Sequence, residues 1–200
     1  MVLQIRRVVT GVTSKGKSIP YEDTVLKPVE LAIMPGVQMF QAWGTEGPVT
    51  SPVADPVPSN RTFFPGPGGT RFGLFRLPPE QASTEQASPT EQASGAVTES
   101  AAPVQLDETA LAAQVAEAEE KVPGLLGIFE PDHPGMHQTQ SVDYVIVLEG
   151  DLWIELDDGA EVHLPTGTCV IQNGARHGWR NHGDVPATLA YVIIDAAPAK

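Results

Sequence analysis

The sequence predicts an all-β protein, an antiparallel sheet closed into a barrel or jelly roll, with a short helix and a disordered insertion. Three observations predict it. From Gly127 onward, apolar runs alternate with turn residues at short, even spacing. Glycine and proline number 19 each, high for a helical protein and ordinary for short strands joined by turns. Hydrophobic residues make up 41% of a 200-residue chain, enough for one core with appendages.

Residues 1–78 are mixed, with short apolar runs such as Arg6–Thr10 and Val29–Met34 broken by Gly and Pro. Strands are expected over 4–10, 29–43 and 70–77, completing the barrel or forming a dimer interface. Gly66-Pro67-Gly68-Gly69-Thr70-Arg71 lacks the Lys-Ser/Thr ending and the following helix of a phosphate loop, so it reads as a tight turn. Residues 79–105 are a low-complexity linker in which EQAS recurs at 80–83, 85–88 and 91–94. Such a stretch has too little apolar surface to offset its ordering entropy. Over 106–126 a short helix is expected. Asp107 stands as its N-cap, Ala and Glu favour it, and Gly124 follows its end. Its apolar stripe is thin, which places it on the surface.

Residues 127–200 form the predicted barrel core. Tyr144–Gly150, Asp151–Gly159, Ala160–Gly167, Thr168–Gly174, His177–Asp184 and Ala187–Asp195 each read as a strand with its turn. Asp158-Gly159, Asn173-Gly174 and Gly183-Asp184 mark the turns.

Charge and cysteine content bound the function. Against 12 Lys and Arg stand 25 Asp and Glu, a net charge of −13 that repels a phosphate backbone, so no nucleic-acid partner is expected. No apolar run reaches the roughly 20 residues of a membrane span. Arg6 and Arg7 are not followed by the apolar stretch of a signal peptide. Cys169 is the single cysteine, so no intrachain disulfide can form and a cytoplasmic setting is expected. Within its apolar run, Cys169 reads as a buried small hydrophobe.

Two segments carry the chemistry. In an extended chain side chains alternate faces, so His137, Thr139, Ser141 and Asp143 share one face, and His177, Trp179 and Asn181 another. If both faces look into the barrel, two imidazoles, a carboxylate and an indole meet in one cavity.

In these two segments the chain resembles the cupin superfamily, over about residues 130–196. The first cupin motif runs G-x5-H-x-H-x3,4-E-x6-G. Anchored on Gly150, it places Asp143 where the family has Glu, His137 on the first His and Thr139 on the second. The second motif runs G-x5-P-x-G-x2-H-x3-N. Gly174, His177 and Asn181 match it, Gln172 replaces its Pro, and the spacer from Gly167 is one residue short. The resemblance implies a single-domain enzyme acting on a small organic molecule, and a homodimer. It also implies a divalent metal (Fe, Mn, Zn, Ni or Cu) on His137, Asp143 and His177, two His and one carboxylate leaving open positions. Thr139, Ser141, Gln172 and Trp179 would then contact substrate. Lyase, dehydratase or isomerase chemistry is the leading expectation, with a dioxygenase and a non-catalytic metabolite-binding barrel as alternatives. Asp is shorter than the family's Glu and Thr139 is a poor ligand, so a metal-free pocket with the two His as acid and base is a further alternative. His133 precedes the strand in a Pro-Gly loop. His163 and His182 lie outside the polar cluster.

Overall fold

The computed structural model describes residues 3–47, 49–51, 62–80 and 108–197. The EQAS repeats beyond Glu80, and the Asp107 cap, lie outside the described residues.

The chain opens with a hairpin of β1 (Ile5–Val12) and β2 (Ser18–Leu26), paired from Ile5↔Leu26 to Val12↔Ser18. The expected strands did not include 18–26, because Pro20, Glu22 and Asp23 interrupt its apolar pattern. Cross-strand ion pairs hold it instead: Arg6 meets Asp23 at 2.6 Å, and Arg7 pairs with Glu22. The expected strand 29–43 is shorter than foreseen. Val29 makes one isolated bridge to Met39, Gly36 turns the chain at φ +78°, and β3 spans Gln38–Thr45. β4 occupies Thr70–Leu77, and the Gly66–Gly69 segment before it is the expected turn, closed by Gly69 N–H donating to Gly66 O at 2.9 Å.

Helix α1 covers Glu108–Lys121, and of its side chains only that of Ala118 is fully buried. It is docked through its polar atoms. Lys121 Nζ donates to Glu30 O at 3.0 Å, and Glu117 accepts the Ala32 N–H at 3.2 Å. Beyond it follow β5 (Ser141–Glu149), β6 (Leu152–Glu155), β7 (Glu161–Leu164), β8 (Cys169–Asn173), β9 (Gly178–Arg180) and β10 (Ala187–Asp195).

Two antiparallel sheets make the body, one of five strands in the order β3-β4-β10-β5-β8 and one of three in the order β7-β6-β9. Strands β3 and β4 thus share a sheet with the C-terminal strands. The main core lies between the sheets, with Val145, Val147, Leu189 and Ile193 from one and Leu152, Ile154 and Leu164 from the other. This is a jelly-roll arrangement of facing sheets. A second cluster, Phe40, Ala42 and Leu74, is packed against Ile5 and Leu26 of the hairpin. The expectation for Cys169 is corrected here: it is exposed. It pairs with Ile146, whose side chain is likewise exposed, because alternation along the strands turns both away from the core.

Candidate functional site

His137 and His177 are brought together by backbone pairing. Each donates its N–H to the other's carbonyl at 2.9 Å, and Phe129 pairs with His137 on the far side. The imidazole rings lie 4.3 Å apart between centroids, at 50° to one another. Phe129 meets the His137 ring edge-on at 5.3 Å, and Trp179 meets the His177 ring edge-on at 5.8 Å.

Each ring is held by the same local device. Nδ1 of His137 lies 3.0 Å from Gly135 O, and Nδ1 of His177 lies 3.0 Å from Ala175 O. A carbonyl oxygen only accepts, so these contacts assign the proton to Nδ1 and leave a lone pair on each Nε2. Burial, which disfavours the charged form, lowers the His137 pKa. Burial, reinforced by repulsion from His137, lowers that of His177 to about 4. Both imidazoles are therefore neutral at pH 7.

Asp143 sits on β5 between Gln172 of β8 and Ile193 of β10. It is 9% exposed, and its Oδ1 is buried without a hydrogen-bond partner among the described residues. Burial raises its pKa to about 6, against a smaller opposite effect of the Ser141 hydroxyl. Three buried or half-buried titratable groups thus have pKa values displaced in opposite directions, the pattern of acid–base sites.

His137, Thr139, Asp143, His177 and Trp179 all line one cavity of about 140 Å³. The two polar stretches therefore meet, as their alternation predicts, although the strand begins only at Ser141. Two expected substrate contacts are not in the lining. Ser141 is buried and exchanges a 2.8 Å hydrogen bond with Thr139. Gln172 is buried and donates to Ala175 O at 3.2 Å, the same carbonyl that holds His177. Asn181 donates to Leu77 O and Val185 O at 3.0 Å, bracing the turn before β10. His133 and His163 are exposed; His163 stacks on Trp153, and His182 bridges Glu80 and Glu161. Neither Arg71 nor Arg76 reaches the cavity. Arg71 is taken up by Glu46 and the carbonyls of Thr45, Thr62, Phe64 and Thr70, and Arg76 by Glu149 and Thr188.

As for a metal, two Nε2 lone pairs and an unpartnered carboxylate oxygen have the right donor chemistry. Yet among the described residues no group of three or more His, Cys, Asp or Glu is gathered closely enough to hold an ion. The arrangement of the side chains does not fit a three-ligand metal centre.

The sequence reading missed most of the cavity wall: Phe63, Phe64, Phe75, Leu125, Phe129 and Tyr191. Phe63, Phe75 and Tyr191 form one aromatic cluster with centroids 5.3–6.1 Å apart. They come from separate parts of the chain and share no local pattern. The single local signal is Gly73, opposite Tyr191, where a side chain would meet the tyrosine hydroxyl.

No protein-family model matches the chain. Over 64 residues it is 36% identical to phomopsin biosynthesis cluster protein C' of Diaporthe leptostromiformis, 32% of this chain and 34% of that protein. Over 66 residues it is 33% identical to a cupin-domain-containing oxidoreductase of Hypocrea virens, again 32% of this chain and 34% of the other. The chain matches about a third of the length of these curated relatives. Among solved structures, a putative ethanolamine utilization protein Q of Salmonella typhimurium aligns over 98% of this chain and 100% of its own, at 9% identity and a TM-score of 0.42.

Proposed function

We propose, from the premise that this chain is a member of the cupin superfamily, that it is an enzyme moving a proton on a small organic molecule held between its two sheets. The single observation that carries this reading is the facing pair of neutral imidazoles, His177 buried and His137 half-buried, whose Nε2 atoms have no partner among the described residues, beside a carboxyl whose Oδ1 has none there either. An Nε2 lone pair accepts a proton from substrate carbon or oxygen. Asp143, with a pKa of about 6, stands close enough to neutrality to return one. The apolar wall excludes water and strengthens each of these interactions. Isomerase, lyase or dehydratase chemistry needs no more than such a pair. Its likeness to proteins of the phomopsin and oryzines biosynthesis clusters supports a small-molecule substrate.

The test is exchange in deuterated water. Purified protein is incubated at pH 7.5 with a panel of small neutral compounds bearing an acidic C–H, and deuterium uptake is read by mass spectrometry. Uptake is expected with wild type and should fall about a hundredfold or more in His137→Ala and His177→Ala. Equal uptake in the variants would sink the proposal.

A second reading follows from the relatives named cupin-domain-containing oxidoreductases. In it, redox chemistry such as that of a dioxygenase would need a metal held by His137, His177 and Asp143, an arrangement these side chains do not form as placed. Elemental analysis separates the two. Near-stoichiometric metal in wild type that vanishes in His137→Ala favours this reading over the first.

A further inference from the structure

The polar atoms at the histidine end of the cavity are acceptors, while the Trp179 indole N–H and the Tyr191 hydroxyl lie elsewhere in the lining. The Nδ1–H of His137 and of His177 are spent on Gly135 O and Ala175 O, which leaves two Nε2 acceptors. Asp143 Oδ1, on a side chain more than nine-tenths buried, adds a third acceptor with nothing bonded to it. The Thr139 and Ser141 hydroxyls are bonded to each other, and the Ser141 hydroxyl also to the Asp143 carboxyl. Neither Lys nor Arg is among the residues lining the cavity.

This inventory discriminates among ligands. A carboxylate or phosphate would bring charge to a site with no cation and with lone pairs facing it. A ketone or ether has no proton for these three acceptors and would leave them unpaired, whatever Trp179 or Tyr191 donated to it. A polyol would carry more hydroxyls than the wall can satisfy. What fits is an apolar body bearing an O–H donor. The wall also indicates the body. Phe63, Phe64, Phe75, Phe129, Trp179 and Tyr191 surround the space, and aromatic rings pack on one another edge-to-face or offset. The volume of about 140 Å³ is close to that of an engineered protein cavity, about 150 Å³, that takes up one benzene molecule.

We infer that this cavity selects a small, uncharged hydroxyaromatic molecule, a single phenol-like ring whose O–H donates to the lone pairs of His137, His177 or Asp143. The inference rests on the reading above that this cavity is the working site, and it adds the class of molecule that enters.

The experiment titrates the full chain at pH 7.5 with phenol, toluene and benzoate, following the imidazole resonances of His137 and His177. The three probes are of similar size and differ in donor and charge. Phenol should shift both resonances at a concentration at least about tenfold below toluene, and benzoate should be weakest. Asp143→Asn, which replaces an acceptor by a mixed amide, should reduce the phenol preference and leave toluene unchanged. If toluene matches phenol, or benzoate binds best, the donor requirement is overturned while the cavity stands as a ligand site. If none of the three moves either resonance, the ligand class and the cavity reading fall together.

Discussion

At the scale of single residues, burial of the titratable groups makes stability depend on pH in a specific way. The folded-state pKa of Asp143 is raised from 3.8 to about 6, so its contribution is full below pH 3.8 and is lost as pH rises through 6. That of His177 is lowered from 6.5 to about 4, so its contribution is full above pH 6.5 and is lost as pH falls through 4. The two slopes oppose each other between pH 4 and 6. Asp143→Asn removes one of them. Relative to wild type, this variant should gain stability as pH rises from 4 to 6, by on the order of 1–3 kcal/mol. His177→Gln should show the opposite trend over the same window. Urea unfolding at each pH measures both, and parallel curves for wild type and variants would refute the burial argument. That His137, Asp143 and His177 line one cavity was legible in the sequence because period-two alternation and the cupin motifs fall on the same positions. The roles of Ser141 and Gln172 were not. Alternation tells which face a side chain takes, but not whether a neighbour or a backbone carbonyl has already claimed its polar atoms.

At the scale of elements, the strands after Gly127 were legible because nearly every apolar run ends at a glycine or a glycine-containing turn dipeptide. The hairpin partner β2 was not, since ion pairs to β1 rather than apolar alternation secure it. Strand β4 meets both β3 and β10, and Gly73 lies between Gln41 and Tyr191. A Cβ there would come within 2.5 Å of the Tyr191 hydroxyl and 2.6 Å of Phe40 O. Gly73→Ala must therefore displace backbone or the cavity wall, at an expected cost of about 2–3 kcal/mol. Thermal unfolding followed by circular dichroism checks this. A melting temperature within a degree of wild type would show that β4 has room to move. The same variant should weaken phenol binding, because Tyr191 is part of the cavity wall.

At the scale of the whole molecule, the five-stranded sheet carries more apolar surface than one chain covers. Phe72, Val192, Tyr144 and Ile171 form a continuous cross-strand row over β4, β10, β5 and β8. Tyr144 is 51% and Ile171 61% exposed. The hairpin has a surplus of its own in Val8, Val12, Tyr21 and Val25, also exposed. Two apolar surfaces on one chain, each without a cover among the described residues, suit an isologous pairing of two copies. We propose a homodimer through this face. Light scattering should give twice the 21.2 kDa chain mass, and Tyr144→Glu with Ile171→Lys should give the single mass at an unchanged melting temperature. A monomeric wild type at micromolar concentration would contradict it. No helix among the described residues is long and apolar enough to cross a membrane. The jelly-roll class was legible from turn spacing alone. The sharing of one sheet by β3, β4 and the C-terminal strands depends on pairings more than 100 residues apart, such as Leu77↔Ala187, which no local pattern reports.

The central claim is that His137 and His177 present neutral imidazoles with free Nε2 lone pairs to the cavity. Long-range ¹H–¹⁵N correlation spectra of the imidazole rings at pH 7 test it most directly. The account predicts that both histidines show a protonated Nδ1 and an unprotonated Nε2, with His137 charging below its ordinary range and His177 only near pH 4. A charged ring at pH 7, or a proton on Nε2, would contradict it.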